Sequence, residues 1–333
     1  MSHRVLPCRW CGKPARYIDD YRTPFQEDCE IFPESMSLYY CSHESIGFAY
    51  PVPTVEDLKK YYNKIYRDTQ RLCSEDPHKQ YSGVTATPLA ESQFMYLSQF
   101  LDFNAIQTVI DMGCGHGMLL RQIHEYNQNI RLIGIELDSA VSPFLKDIDT
   151  EIIHVSVSEN VDVILERIGN DTLLISSHVL HYQHDFRFLY DIIEDARRRD
   201  LRNVYLFVEV PNEIFQDSVY VSNRVYDTPK LLFFTVEAFQ KGIFDIEIIN
   251  VTTNGWPTEQ ELFFRKKRLE EYRKSIRHFH LKKIFHFLKS FFPIRTRMLI
   301  KKLISGKNDS NQALFYYSYG GNRRAIRMIG RVV

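Results

Sequence analysis

The 333-residue sequence has no apolar run approaching the roughly 18 residues that a membrane-spanning helix needs, and its N-terminus has no apolar signal-like segment, so neither a span nor a secretory leader is expected. Its six cysteines are few and scattered, which argues against a disulfide framework and for a reducing, cytoplasmic setting. There is no net charge, since 42 Lys+Arg balance 42 Asp+Glu. A dinucleotide-type G-x-G-x-x-G fingerprint is also missing: residue 118, where its third glycine would fall, is Met. No Lys-Ser/Thr pair follows the glycines, which excludes a phosphate-cradling P-loop. Hydrophobic residues at 44% and aromatics at 14% are enough for a core, in one large domain or two modest ones.

What is present starts at Thr108–Gly117, TVIDMGCGHG. An apolar run ends in Asp111, and Gly113, Gly115 and Gly117 follow before an amphipathic stretch, Met118 to Tyr126. This reads as strand, tight turn and helix, with glycines where the backbone must turn sharply and approach a ligand. Further strands are expected over Arg131–Asp138, Leu173–Asp185 (running into a polar loop), Asn203–Glu213, Asp245–Val251 and Glu261–Arg265. The last of these would be an antiparallel edge. A helix is expected over Thr235–Lys241. Alternating strands and helices imply an α/β fold with a mostly parallel, Rossmann-like sheet, and a ligand at the carboxyl ends of its strands. Glu136, ending the second strand, suits ribose hydroxyls, and Ser156 and Ser158 fall in the loop expected after the third strand.

The D-x-G-x-G-x-G run resembles the first motif of class I S-adenosylmethionine (SAM) dependent methyltransferases. The resemblance implies Asp111, Gly113, Gly115, Gly117, Glu136, Ser156 and Ser158 as cofactor residues.

Residues 1–82 read as an N-terminal module, 83–267 as the SAM core, and 268–333 as a basic amphipathic helical tail ending in a hairpin around Phe315–Ile329. The module holds Cys8-Arg-Trp-Cys11 and Cys41-Ser-His43-Glu44, two knuckles of zinc-ribbon spacing. Cys8, Cys11, Cys41 and His43 can bind zinc, with Glu44 an alternative fourth ligand, or the thiols are simply packed. Thr54 with Asp57 reads as a helix N-cap, followed by Tyr61, Tyr62 and Tyr66, which either form a packing stripe or face a substrate.

The knuckle pair, the P-x-P helix and the SAM motif together resemble methyltransferases of nucleotide-linked deoxysugars and surface polysaccharides, including C-methyltransferases. The resemblance spans roughly residues 1–265 and implies a carbohydrate or nucleotide-sugar acceptor. The Glu-His pair that supplies the base in the C-methylating members is absent from Val225–Lys230, which favours O-methylation. In that family the loop after strand four reads roughly N-H-V-L-E-H-x-x-D. Here His178 matches its first histidine, His181 replaces its Glu and Tyr182 its second histidine. Histidine suits base catalysis near neutral pH, so His181, then His178, are the candidate bases, with Glu209 a third candidate.

Charge is lopsided. From residue 264 onward 19 Lys+Arg face 3 Asp+Glu, and the rest of the chain carries 23 against 39. Leu281, Ile284, Phe285, Leu288, Phe291 and Phe292 recur at helical spacing among lysines. Such a segment packs on the acidic core, lies on the inner face of an anionic membrane, or binds a polyanion. A nucleic acid is disfavoured, because no RNA-binding module is recognisable and strand four lacks the N/D-P-P-Y/F loop of amino-methylating enzymes. The remaining rivals are C-methylation of a sugar and a SAM-fold scaffold without turnover.

Overall fold

The computed structural model describes residues 5–21, 36–61, 86–213, 215, 230–257 and 323–333. Two sheets organise them. The larger has seven strands: β5 (Thr108–Met112), β6 (Arg131–Ile135), β7 (Thr150–Ile153), β8 (Thr172–Ser177), β9 (Val204–Pro211), β11 (Glu247–Pro257) and β12 (Arg323–Arg331). Their order is β11-β12-β9-β8-β5-β6-β7. Strands β5 to β9 are mutually parallel, and β12 runs antiparallel between β9 and β11. This is an α/β, Rossmann-like sheet, mostly parallel with one antiparallel strand inside it.

Its strands read as near-continuous apolar runs because both faces are covered. Ile110, Ile133 and Leu174 join one core with helices α4 (Val161–Leu165) and α5 (Phe188–Arg198). Their neighbours Val109, Leu132 and Leu173 join a second core with α2 (Ala86–Leu97) and α3 (Met118–Tyr126). Helix α3 spans the residues that the sequence pattern marked for it.

The smaller sheet is antiparallel, in the order β1 (Val5–Pro7), β2 (Pro14–Tyr21), β3 (Met36–Cys41), β4 (Ile46–Tyr50) and β10 (Leu232–Phe234). Helix α1 (Val55–Lys60) follows it, with Thr54 and Asp57 forming a reciprocal capping box. Tyr61 is fully buried, as a packing role requires; Tyr62 and Tyr66 lie outside the described residues.

Two strands lie in sheets where the sequence reading did not place them. The antiparallel strand of the large sheet is β12, at the C-terminus and internal to the sheet. The proposed edge strand Glu261–Arg265 lies outside the described residues. Ala325–Ile329 therefore belongs to the core sheet, between β9 and β11; its expected hairpin partner, Phe315–Tyr319, lies outside the described residues. Its basic composition disguised it: Ala325 to Gly330 are all buried, including Arg327 at 0% exposure. Secondly, the segment at Leu232 completes the N-terminal sheet, pairing Leu232 with Phe48 and Phe234 with Ile46. Leu231 to Phe234 are fully buried, and an apolar run of this kind needs cover on both faces. The N-terminal sheet and the large sheet consequently share one core. The basic residues 264–322 lie outside the described residues.

Candidate active site

Strand β5 delivers Asp111 and then the glycine turn. Gly113, Gly115 and Gly117 have φ of 79°, 52° and 65°, values that residues with a Cβ rarely adopt. At Gly117 a Cβ would also overlap the Leu145 side chain. At Gly115 nothing lies within 4 Å of a Cβ position, so the backbone there is open to a ligand. The turn is tied to β6: the Gly113 and Cys114 amides donate to the Ile135 carbonyl at 2.7 and 3.1 Å.

Glu136 follows β6 and reaches back across this turn. Its Oε2 accepts the Gly115 amide at 3.0 Å and its Oε1 the Asp138 amide at 3.1 Å. Burial raises its pKa against those two bonds. Each carboxylate oxygen keeps a second lone pair for a hydroxyl donor.

A cavity of about 220 Å³ lies beside this turn, lined on one wall by Leu89, Ala90 and Gln93 of α2, and otherwise by Asp111, Gly113, Cys114, Ser177 and His178; Glu136 is not on its wall. It lies between the carboxyl ends of β5 and β8, where the strand order reverses, which is the ligand position of open α/β sheets. Asp111 is 3% exposed, and its Oδ1 is buried without a hydrogen-bond partner among the described residues. Burial, and then the nearby Glu136, push its pKa up to about 7. A cationic group in the cavity would satisfy that oxygen. The site therefore fits the amino-acid end of SAM at Asp111, with the open turn at Gly115 and the acceptor lone pairs of Glu136 for the rest. The loop after β7 carries Ser156 and Ser158 where the sequence placed it. Both serines are half-buried and neither lines this cavity.

The structure separates the two candidate histidines. His178 lines the cavity with φ of 57°, an uncommon conformation outside glycine that recurs at functional positions. It is fixed by its amide, which donates to the Glu209 carbonyl at 2.7 Å. Its Nε2 lies 3.3 Å from Glu209 Oε1. His181 instead is 2% exposed, off the cavity wall, with its ring against Tyr182 and Nδ1 without a partner among the described residues. Burial, then Lys230 and His178, hold its pKa well below the usual range.

Glu209 is the hub. It is 1% exposed and accepts Gln93 Nε2 at 3.1 Å and Arg327 Nε at 2.7 Å. Burial alone would raise its pKa, but Arg327 and His178 outweigh that and hold the carboxyl below its ordinary range. Arg327 completes its own bonding on the Ser92 carbonyl and hydroxyl at 3.0 and 2.9 Å. The sequence reading passed over Arg327 and Gln93. An arginine alternating with apolar residues in RRAIRMIG was the available signal.

In the N-terminal sheet the Sγ atoms of Cys8, Cys11 and Cys41 lie within 4.8 Å of one another, and so do the ligand atoms of Cys11, His43 and Glu44. Cys11 and Cys41 are 3.7 Å apart, and the Glu44 amide donates to Cys41 Sγ at 3.5 Å. Burial, and then neighbouring side chains, push the Cys11 thiol up to about 12. A divalent cation would reverse that by binding thiolates. Three thiols form a donor set that fits zinc; Cys11 alone is shared with the His43–Glu44 group, so neither His43 nor Glu44 stands within that distance of all three sulfurs.

No family profile matches the sequence, and no curated protein does. Among solved structures, the chain is similar to a SAM dependent methyltransferase from Archaeoglobus fulgidus, at 13% identity and TM-score 0.42 over 76% of this chain and 97% of that one. It is likewise similar to the plantazolicin methyltransferase BamL, at 10% identity and TM-score 0.42 over 83% and 94%, and to the StiE O-MT, at 14% identity and TM-score 0.40 over 80% and 81%. Likenesses this weak bear on neither mechanism nor acceptor.

The raised pKa of Asp111 has a thermodynamic consequence. Its folded value lies above the unfolded value of about 3.9, so between roughly pH 4 and pH 7 the folded state binds more protons than the unfolded state. Stability of the ligand-free protein should fall across that window. Asp111→Asn should flatten the slope and melt higher than the parent at pH 8. Thermal melts at pH 5 and pH 8 check this; parallel profiles for the two proteins would contradict the buried, unpaired carboxylate.

Proposed function

We propose that this chain is a SAM-dependent methyltransferase that methylates a sugar hydroxyl, on a nucleotide-linked sugar or a bacterial surface polysaccharide. One observation carries the reading: His178, backed by a buried carboxylate, forms part of the same cavity wall as Asp111 and the glycine turn. In this reading His178 is the proton acceptor beside the cofactor.

Bound SAM supplies an electrophilic methyl group on a sulfonium. Asp111 holds the ammonium of its amino-acid part, the turn from Gly113 to Gly117 lies along it, Glu136 takes the ribose hydroxyls, and the Ser156–Ser158 loop bounds the adenine. His178 donates Nε2–H to Glu209, leaving Nδ1 to accept the proton of the acceptor hydroxyl. Glu209, kept ionised by Arg327, then stabilises the imidazolium. Buried His181 supports the loop and is not the base. The choice of oxygen over carbon rests on the missing Glu-His pair. Lys230, at about the position of that histidine, is instead paired with Glu213 at 3.4 Å.

Calorimetry with S-adenosylhomocysteine should show micromolar binding to the wild type and to His178→Ala. Methyl transfer to a panel of nucleoside-diphosphate sugars should fall by about 100-fold or more in His178→Ala and less in His181→Ala. Folded protein that binds no S-adenosylhomocysteine would leave the scaffold reading standing, and undiminished transfer by His178→Ala would remove the base.

Cys8, Cys11 and Cys41, with His43 or Glu44, hold a structural zinc in this proposal. Purified protein should then contain about one equivalent of zinc, and Cys8→Ser should lose it and melt lower. A metal-free protein of equal stability would mean packed thiols only.

No helix among the described residues is long and apolar enough to cross a membrane. We place the protein in the cytoplasm, drawn to the inner membrane face by residues 258–322, which carry 15 Lys+Arg against 5 Asp+Glu. Truncation cannot test this, because β12 follows that segment. Replacing residues 262–318 with a Gly-Ser linker should instead abolish co-sedimentation with phosphatidylserine vesicles while the cooperative melt persists. Intact protein that stays in the supernatant would end the membrane proposal.

A further inference from the structure

The two residues between Cys8 and Cys11 grip the segment that begins at His178. Arg9 Nη1 donates to the His184 carbonyl at 3.0 Å, and Arg9 Nη2 lies 3.4 Å from His184 Nδ1. Trp10 Nε1 donates to Asp185 Oδ1 at 3.3 Å. The Trp10 ring stands 5.1 Å from that of Phe186 and 5.6 Å from that of Phe48 in β4. Phe186 is buried and packs on Tyr190, Phe234 and Phe244. A separate tie comes from beside β10, where the Leu231 amide donates to the His181 carbonyl at 2.8 Å.

The segment depends on such outside support. Between His178 and helix α5 its regular structure is one 3₁₀ turn, Leu180–Tyr182. That turn bonds Tyr182 to Val179 and Gln183 to Leu180, and its neighbour His178 sits in a strained left-handed conformation. A conformation of that kind persists when its surroundings over-determine it. Asp185 is a junction in this respect: it binds Trp10 on one side, and on the other accepts the Arg187 amide at 3.0 Å and Arg187 Nε at 2.7 Å, at the start of α5.

We propose that Arg9 and Trp10 are positioning residues for His178: the cysteine knuckle clamps residues 184–186 so that the imidazole stays on Glu209 and at the cavity wall. This rests on the reading of His178 as the base. It gives the N-terminal sheet a part in shaping the site, distinct from any contact with the acceptor.

The test uses the full chain with Arg9→Met, Trp10→Phe and the double variant. Trp10→Phe removes the donor and part of the ring system but keeps an aromatic ring against Phe186, so the fold should persist. With S-adenosylhomocysteine bound, amide exchange across 178–187 should speed up about tenfold in the double variant, while exchange over 108–126 stays as in the wild type. Affinity for S-adenosylhomocysteine should change less than about twofold, and the ¹⁵N imidazole signals of His178 should move. In the nucleoside-diphosphate-sugar assay kcat should fall about tenfold or more with KM nearly constant, and Arg9→Lys should recover part of the loss left by Arg9→Met. Unchanged exchange and imidazole signals in the double variant would overturn the clamp. So would a parallel loss of S-adenosylhomocysteine affinity, which would show general loosening. If the wild type methylates none of the sugars, the acceptor reading fails, while the exchange and imidazole measurements still decide the clamp.

Discussion

The site depends on one buried ion pair, Arg327 with Glu209. The two residues face each other in register on antiparallel β12 and β9, with 0% and 1% of their side chains exposed. Removing both charges from water costs several kcal/mol per ion, and their attraction offsets this only if the remaining donors and acceptors are satisfied. Here they are largely matched: Glu209 receives Arg327, Gln93 and His178, and Arg327 also binds Ser92 and lies 5.8 Å from the centre of the Tyr96 ring. Loss of either partner would strand a charge in the core, a change worth about 3–5 kcal/mol. The pair thus locks the C-terminal strand, helix α2 and the His178 loop into one arrangement.

That arrangement explains why an arginine can occupy a central strand of an otherwise apolar sheet. Ser92 and Gln93 are neighbours on α2, and one serves the arginine while the other serves the carboxylate and Ser177. Helix α2 also supplies Leu89, Ala90 and Gln93 to the cavity wall. The network that stabilises the sheet is therefore continuous with the surface that would receive a ligand. In such a network the deletion of one member is not an independent event.

The parts of the site that were legible in the sequence are local. TVIDMGCGHG carries its own explanation, since Gly113, Gly115 and Gly117 occupy backbone conformations closed to most residues, and Thr54 caps its helix using Asp57 three residues on. Glu136 and the sheet class followed from the alternation of strands and helices. The rest is long-range. Arg327 lies 118 residues from Glu209 and sat in a basic stretch that masked a central strand. β10 joins a sheet whose other strands end at Tyr50. Between His178 and His181 the sequence offers two imidazoles three residues apart, and periodicity cannot show that one faces a cavity and the other a core. That distinction is made by β9, through the Glu209 carbonyl and carboxylate, and by Arg9 and Trp10 from the far end of the chain.

Two buried carboxylates meet this cavity or its wall, and their surroundings drive them in opposite directions. Asp111 has an unpartnered oxygen and a second acid, Glu136, nearby, so its charge is suppressed. Glu209 has Arg327 as a built-in cation and His178 beside it, so its charge is enforced. Paired titratable groups pushed apart in this way assign roles by environment. A carboxylate already neutralised by the protein gains little from a cationic ligand, and is suited to holding an imidazole and stabilising it once protonated. A carboxylate without its cation gains most from a ligand that brings one. In the proposed mechanism Asp111 belongs to binding and Glu209 to proton transfer, a division that follows from whether each acid's counter-charge lies within the chain.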